Sequence, residues 1–262
     1  MEDNGAAVTA RFRGRADLAV ILGSGLSAME SLAEPVDSCL YGDFNDLQAP
    51  TVSGHPGRIF LLEDRVLVFA GRSHLYEDGK PEAAAGPVRL AAALGCGRLL
   101  LTQAAGSLRA GLRPGSWMLA GDIVSLPFSR SRLALPGRSE AGNTPLISGK
   151  FRGLVKRASL RAGIELEDGT LFWTPGPNYE TAAEAIAAQR LGADAATMSP
   201  LPELVESARI GLEAACLSWI TNHTANVSRS ETGHEKVVRM GKRGAGTLLM
   251  IVQAVSREMR GG

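Results

Sequence analysis

Three side chains that could bind an anion or a sugar follow the apolar run RVLVFA. Arg72, His74 and Tyr76 stand at alternate positions of GRSHLYED, after what we interpret as a buried strand. Alternate residues of an extended chain share a face. Arginine offers a fork of donors to phosphate, histidine adds a titratable proton, and tyrosine can bond a hydroxyl. The pattern indicates an anion and hydroxyl site, although solvated residues at an exposed strand end would produce the same pattern.

A glycine-rich turn directly follows the first apolar run of the chain. LGSGLSA fits the dinucleotide pattern G-x-G-x-x-G/A through Gly23, Gly25 and Ala28. The acid expected about twenty residues later, at the end of a second strand, is missing, because EPVDSCLYGDF has no apolar run before its acids. We therefore favour a tight turn that presents amides and the Ser24 hydroxyl to a single phosphate. A plain strand-to-helix turn is the structural alternative.

The composition is that of a globular chain without a strong charge. Lysine and arginine number 28 against 27 acids, a net charge of +1, so no long-range field favours nucleic acid or an anionic membrane. Three scattered cysteines, Cys39, Cys96 and Cys216, show neither metal spacing nor a disulfide framework. The N-terminal apolar run is too short for a signal or a membrane span. We expect a cytoplasmic protein without an anchor, with residues 1–16 as a flexible N-terminus.

Short apolar runs alternate with longer helix-like segments along the chain. This alternation predicts an α/β fold, one domain over residues 1–262 with a central mixed β-sheet flanked by helices. RIFLLEDRVLVFAG predicts a hairpin, and residues 128–150 form the least regular segment. Strands are predicted to begin at Leu18, Arg58, Val66, Arg98, Asp122, Thr170, Ala195 and Ala214. Helices are predicted over 81–94, about 150–162, 181–191, 204–211 and about 233–259, with capping boxes at Thr181/Glu184 and Thr232/Glu235.

Eight segments of the chain occur in the order typical of one enzyme family. They are GSGL, SGHPGR, GRSHLYED, TQAAGSL, PGPNYETAAE, LGADAATMSPLPE, ITN and GHEKV. The set strongly resembles the purine nucleoside phosphorylase family, in its trimeric branch that cleaves 6-oxopurines, over about 18–255. The resemblance implies a pentosyltransferase that converts inosine, guanosine and their 2′-deoxy forms reversibly to the base and (deoxy)ribose 1-phosphate. It further implies phosphate as co-substrate, no cofactor or metal, no nucleic-acid or membrane partner, and a homotrimer.

The resemblance also assigns a phosphate site. In this sequence its members are Ser24, His55, Arg72, His74, the backbone amide of Ala104, and Ser199. An arginine with amides and hydroxyls can neutralise an anion without a metal.

A nucleoside site follows from the same resemblance. Its members are Tyr76 and Met198 near the ribose, Tyr179 against the base, Glu180 at the purine N1–H, Asn222 at N7 and the 6-oxygen, and His234 at the 5′-hydroxyl. Asn222, Glu180 and His74 are the expected catalytic residues. Asn222 can donate to N7 as negative charge develops there, and N1–H supplies the donor that a buried carboxylate needs.

The chain departs from the family pattern at several places. Gln103 replaces an asparagine and is expected to add a methylene beside the phosphate; Ser107 replaces a glycine, and Pro200 removes an N–H beside Ser199. The segment 125–150 is short and unmatched, so only Phe128 is a candidate for the aromatic that the family lends to a neighbouring subunit. Two alternatives stay open: an enzyme for a different or modified nucleoside, and a nucleoside- or base-binding protein with little turnover.

Overall fold

A computed structural model gives the fold of the chain. It describes residues 10, 12–44, 47–52, 55–126, 145–225, 227 and 233–261. Phe128 and Thr232, with most of the divergent segment 128–150, lie outside these residues. Part of the N-terminus that we expected to be flexible packs on the core instead, because Phe12 is 1% exposed and Ala16 2% exposed.

Nine strands form one sheet in the described part of the chain. They are β1 Leu18–Ile21, β2 Asp37–Leu40, β3 Arg58–Leu62, β4 Val66–Ala70, β5 Arg98–Ser107, β6 Trp117–Val124, β7 Glu167–Trp173, β8 Ala195–Thr197 and β9 Glu213–His223. The helices are α1 Glu30–Ala33, α2 Leu75–Asp78, α3 Pro81–Ala93, α4 Gly149–Arg161, α5 Ala182–Arg190, α6 Leu201–Ile210 and α7 His234–Gly261.

The sheet is mixed and partly closed on itself. Its strand order is β2-β3-β4-β1-β5-β8-β7-β6-β9, and β9 also pairs with β5. Strands β5, β8, β7, β6 and β9 are therefore paired in a closed ring. Strand β1 pairs with β5 of this ring on one side and with β4 on the other, and β3 and β2 follow β4. The β3–β4 hairpin is antiparallel, whereas β1 runs parallel to both β4 and β5. Several strands consequently end at the same side of the molecule.

Burial explains why these segments form strands and helices. Every residue of β1 and of β4 is buried, as expected for strands covered on both faces. Helix α7 buries a stripe at helical spacing that includes Val237, Ala245, Leu248 and Val252. Ala245, Leu248 and Val252 of this stripe belong with Val155 of α4 to one core cluster on the sheet.

The predicted α/β fold with a mixed sheet is confirmed, and so is the hairpin. The capping box at Thr181 forms as predicted, with the Glu184 amide donating to the Thr181 hydroxyl. Three elements begin three or more residues earlier than predicted: β6 at Trp117 rather than Asp122, β7 at Glu167 rather than Thr170, and α6 at Leu201 rather than Leu204. Strand β2 and the four-residue helices α1 and α2 were missed. Strand β2 is an edge strand with one buried residue, so it lacks the apolar run that identified the other strands.

Close backbone packing explains the glycines that follow β1. Gly25 has a positive φ of 78°, and a Cβ there would lie 2.3 Å from the Val238 carbonyl oxygen of α7. A Cβ on Gly241 of the same helix would lie 2.3 Å from the Ser24 carbonyl oxygen. The two glycines allow the turn to rest directly on α7, which fixes the position of Ser24.

We predict that Gly241→Ala destabilises the protein, because its methyl group must displace backbone. Overpacking of this kind typically costs about 1–3 kcal/mol. The matched control is Gly246→Ala on the same helix, where the nearest atom to a new Cβ is a Leu32 methyl at 4.0 Å. The control should be neutral or stabilising by up to about 1 kcal/mol, because alanine favours helix. Urea unfolding measures both, and equal stability of the two variants would contradict the packing argument.

Candidate active site

A cavity of about 280 Å³ opens at the carboxyl ends of several strands. In α/β sheets this edge is where ligands bind. The turns after β1, β4, β7 and β8 line it, together with β5, β9 and the start of α7. The cavity brings together ten of the predicted site residues: Ser24, His74, Tyr76, Ala104, Tyr179, Glu180, Met198, Ser199, Asn222 and His234.

His55 lies behind Ser24 and controls its hydroxyl. Its Nδ1 accepts the backbone N–H of Arg72 at 3.1 Å, and its Nε2 lies 3.2 Å from Ser24 Oγ. Burial lowers the pKa of His55 well below its ordinary value, and the nearby His74 and Arg72 lower it further. The ring is therefore neutral with its proton on Nε2, which donates to Ser24. The Ser24 O–H is then left to donate to an anion.

Sequence reasoning missed Glu77, which anchors His74. One Glu77 oxygen accepts the His74 backbone N–H at 2.6 Å and lies 3.2 Å from His74 Nδ1. The other accepts the N–H and hydroxyl of Thr51. Burial alone would raise the pKa of Glu77, but the hydrogen bonds from His74 and Thr51 outweigh it and lower the pKa to about 2. The i,i+3 spacing of His74 and Glu77 was the available signal.

The tautomer of His74 follows from this contact. A carboxylate only accepts, so His74 Nδ1 must carry a proton. In the neutral ring Nε2 is then an acceptor, suited to a P–OH group of hydrogen phosphate. A protonated ring would donate to a phosphate oxygen instead.

The expected common face of Arg72, His74 and Tyr76 was wrong. Strand β4 ends at Ala70, His74 caps α2, and Tyr76 lies inside that helix. The helix brings the His74 and Tyr76 rings into a stack with centroids 5.0 Å apart and planes 15° apart. Burial raises the pKa of Tyr76 to about 12, so its phenol stays protonated and can donate at neutral pH.

Arg72 points into the protein interior instead of lining the cavity. Its Nη2 donates to the carbonyl oxygens of Ile21 and Thr102, and its Nη1 lies 3.1 Å from Glu203 Oε1. Both charged side chains are 1% exposed. A buried charge needs such a partner, because removing one member of a buried pair typically costs about 3–5 kcal/mol. Arg72 Nε makes no hydrogen bond within the described residues, so the predicted role at an anion stays a prediction.

Glu180 lies between this cavity and a second, larger one. Burial raises the pKa of this carboxyl, while two hydrogen bonds oppose that rise: one from the backbone N–H of Glu180 itself and one from the Thr174 hydroxyl, which donates to Oε1 at 3.0 Å. The second cavity, of about 510 Å³, is lined by Leu75, Phe172, Leu191 and other residues. Glu180 and Thr174 both line this second cavity, but only Glu180 reaches the first.

The side-chain amide of Asn222 is oriented by its neighbours in β9. Thr221 Oγ1 donates to Asn222 Oδ1 at 2.8 Å, and Asn222 Nδ2 donates to the His223 carbonyl oxygen at 2.9 Å. Gly106 of β5 permits this arrangement, since a Cβ there would lie 3.1 Å from Nδ2. Asn222 thus enters the cavity in a fixed orientation.

Four more of the predicted residues line the same cavity: Tyr179, Met198, Ser199 and His234. Met198 approaches Tyr76 across Gly176, where a Cβ would meet both side chains at under 3 Å. The Ser199 amide donates to Thr197 Oγ1, and His234 is the first residue of α7, as expected. Tyr179 is 46% exposed. The functional roles of these residues stay predictions.

The expectation for Gln103 was wrong. Its side chain is buried, and Nε2 donates to Ser218 Oγ at 2.7 Å, away from the cavity lining. Ser107 bonds the backbone of Arg109. Pro200 precedes α6 as its N-cap residue, and its carbonyl oxygen accepts the Leu204 amide.

The described residues contain neither a metal-binding cluster of side chains nor a membrane-spanning helix. Their His, Cys, Asp and Glu side chains form no group of three or more that could hold a metal ion. Every helix within the described ranges is too short or too polar to cross a lipid bilayer.

Comparisons with known proteins place the chain in a family. The model of the phosphorylase superfamily matches residues 17–257. A purine nucleoside phosphorylase of Mycobacterium bovis is 35% identical over 87% of this chain and 84% of its own length. That of Bos taurus is 32% identical over 91% and 87%.

A solved structure supports the fold alone. The purine nucleoside phosphorylase of Schistosoma mansoni, crystallised with inosine, superposes with a TM-score of 0.81 at 24% identity, covering 97% of this chain and 95% of that one. The chain therefore belongs to the phosphorylase superfamily and, within it, to the purine nucleoside phosphorylases.

We predict that the stabilising effect of Glu77 depends on pH. The folded-state pKa of about 2 lies below the ordinary value of 4.5, so Glu77 stabilises the fold above that ordinary value. This contribution is lost as pH falls from about 4.5 towards 2. The difference in unfolding free energy between wild type and Glu77→Gln should therefore be largest at neutral pH and shrink in acid. Asp78→Asn, at the exposed neighbouring acid, is the control; a pH-independent difference for Glu77→Gln would contradict the assignment.

Proposed function

We propose that the chain catalyses the reversible phosphorolysis of 6-oxopurine nucleosides and 2′-deoxynucleosides, inosine and guanosine among them. In this reaction the bond between ribose C1′ and purine N9 breaks, and a bond between C1′ and a phosphate oxygen forms. Phosphate acts as co-substrate and no cofactor is needed. The products are the free base and (deoxy)ribose 1-phosphate.

The order of side chains along the cavity wall carries this proposal. Ser24, His55 and His74 are linked to one another, since the two histidine rings lie 5.2 Å apart edge to face. His74 stacks on Tyr76, and Tyr76 and Met198 both lie beside Gly176. The PGPNYE loop then leads to Glu180. Groups that can donate to an anion therefore come first along the cavity, Tyr76 and Met198 come next, and the Glu180 carboxylate comes last. Phosphate, ribose and purine lie in the same order when phosphate attacks a nucleoside.

The anion end suits phosphate. The Ser24 hydroxyl is free to donate because His55 supplies its hydrogen bond, and His74 Nε2 can bond either a P–OH group or a phosphate oxygen. Ser199 adds a further hydroxyl on the cavity wall. The charge of Arg72 lies behind these groups, partly neutralised by Glu203. Preorganised donors of this kind stabilise a transition state without reorganisation during the reaction.

The base end suits a 6-oxopurine. Ionised Glu180 accepts, so it complements the N1–H of hypoxanthine or guanine. Asn222 supplies an amide that can donate to N7 as negative charge develops on the leaving purine. The nitrogen at position 1 of adenosine carries no hydrogen, so the Glu180 oxygen that faces the base would have no donor from the ligand. A site built to bond a missing hydrogen rejects the analogue strongly.

Location and assembly belong to the proposal as well. We place the enzyme in the cytoplasm and its reaction in purine salvage. A homotrimer follows from the resemblance to the trimeric branch of the family. Light scattering should report three chain masses of 27.5 kDa per particle; a monomer would contradict the trimer without affecting the assignment of the reaction.

The substrate preference is tested by assaying inosine, guanosine, adenosine and methylthioadenosine with and without phosphate. We expect turnover of inosine and guanosine that requires phosphate. The kcat/KM for adenosine should be lower by about a hundredfold or more, because an unpaired buried carboxylate costs a few kcal/mol. Equal rates on adenosine and inosine would refute the assigned role of Glu180. Binding of nucleosides without turnover would favour the alternative of a nucleoside-binding protein.

A further inference from the structure

We propose that Thr174 is a positioning residue that keeps Glu180 in its hydrogen-bond-accepting form and so makes the site select 6-oxopurines. The inference rests on the proposed function, which assigns the purine edge to Glu180. It concerns a residue outside the segments that carry the family resemblance.

The contact itself is direct. Thr174 Oγ1 lies 3.0 Å from Glu180 Oε1, and because a carboxylate has no proton to give, the threonine donates. Thr174 is fixed in turn: it follows β7 directly, and its backbone N–H donates to the Thr197 carbonyl oxygen at 3.0 Å. The hydroxyl therefore approaches Glu180 from a rigid position on the sheet.

Thr174 and the nucleoside cavity lie on different sides of the Glu180 carboxylate. Thr174 lines only the 510 Å³ cavity, whereas Glu180 lines both this one and the 280 Å³ cavity proposed for the nucleoside. Thr174 therefore binds Oε1 from the side away from the nucleoside. This leaves Oε2 as the oxygen for the purine edge.

The protonation state of Glu180 decides which purine it can bond. The ionised carboxylate accepts from N1–H of a 6-oxopurine, whereas a protonated carboxyl would donate to N1 of adenine. Burial raises the pKa of Glu180 and so favours the protonated form. A hydroxyl that donates to the ionised form acts in the opposite direction. Removing it should weaken selection against adenosine.

Few other described groups near Glu180 could replace Thr174. Glu184 of α5 carries a like charge and raises the pKa of Glu180 further. The phenols of Tyr179 and of Tyr76, on α2, share its cavities, and burial keeps both protonated by raising their pKa. His234 of α7 also lines the nucleoside cavity. The backbone N–H of Glu180 and the Thr174 hydroxyl both oppose the effects of burial and of Glu184, and of these two donors only Thr174 can be removed by a side-chain substitution.

The test compares Thr174→Val, which keeps the shape but removes the hydroxyl, with Thr174→Ser, which keeps the hydroxyl. The pH dependence of kcat/KM is measured for inosine and for adenosine at saturating phosphate. Thr170→Val is the matched control, because it makes the same change four residues earlier on β7, outside the linings of both cavities.

For Thr174→Val we expect the acid limb of the inosine profile to move upward by about one pH unit, since loss of one hydrogen bond to a charged group is worth about tenfold. The inosine-to-adenosine ratio of kcat/KM should fall by about tenfold. Thr174→Ser and Thr170→Val should resemble wild type, and the KM for phosphate should stay unchanged in all three.

Two failures can be distinguished. If wild type cleaves inosine but Thr174→Val has the wild-type pH profile and ratio, the inference about Thr174 is wrong while the proposed function stands. A uniform loss of activity in Thr174→Val, with no change in profile or ratio, would also overturn it, because that is the signature of a merely structural residue. If wild type cleaves no 6-oxopurine nucleoside, the proposed function fails and the inference fails with it.

Discussion

The close approach of the turn after β1 to both β5 and α7 is the constraint on which the site depends. A Cβ on Gly23 would lie 2.6 Å from the Cα of Gln103 in β5. A Cβ on Gly25 or on Gly241 would lie only 2.3 Å from a backbone oxygen on the other side of the contact between the turn and α7. This packing leaves no freedom for the turn. Ser24 is thereby held at the strand ends, where His55 can reach it, and the remaining cavity residues are arranged around that position.

Buried charge is the second feature that shapes the site, and it is compensated differently at each end. Near the anion end, Arg72 is paired with Glu203, and Glu77 is paired with His74 and Thr51. At the base end, burial raises the pKa of Glu180, and the hydrogen bonds from its own backbone N–H and from Thr174 only partly offset that rise. The charged groups near the anion end are consequently paired within the protein itself. Glu180 instead gains from a ligand that brings a donor, which is the chemical basis of the proposed base selection.

Much of the fold could be predicted from the sequence because its strands are buried apolar runs. The edge strand β2 was missed because DSCL carries no such run, and α2 is only four residues long, too short to show helical periodicity. The cavity residues came from the ordered motifs. The direction of Arg72 could not be predicted, because Glu203 is distant in sequence and meets it only in the folded chain. The same holds for Gln103, whose partner Ser218 lies on β9.

The central claim is that one cavity holds phosphate and nucleoside side by side. A crystal structure of the protein with inosine and sulfate, an unreactive substitute for phosphate, tests this most directly. The account predicts sulfate in contact with Ser24 and His74, ribose beside Tyr76 and Met198, and N1 of hypoxanthine within hydrogen-bond distance of Glu180. Inosine bound in another groove, or bound here with its N1 edge turned away from Glu180, would contradict it.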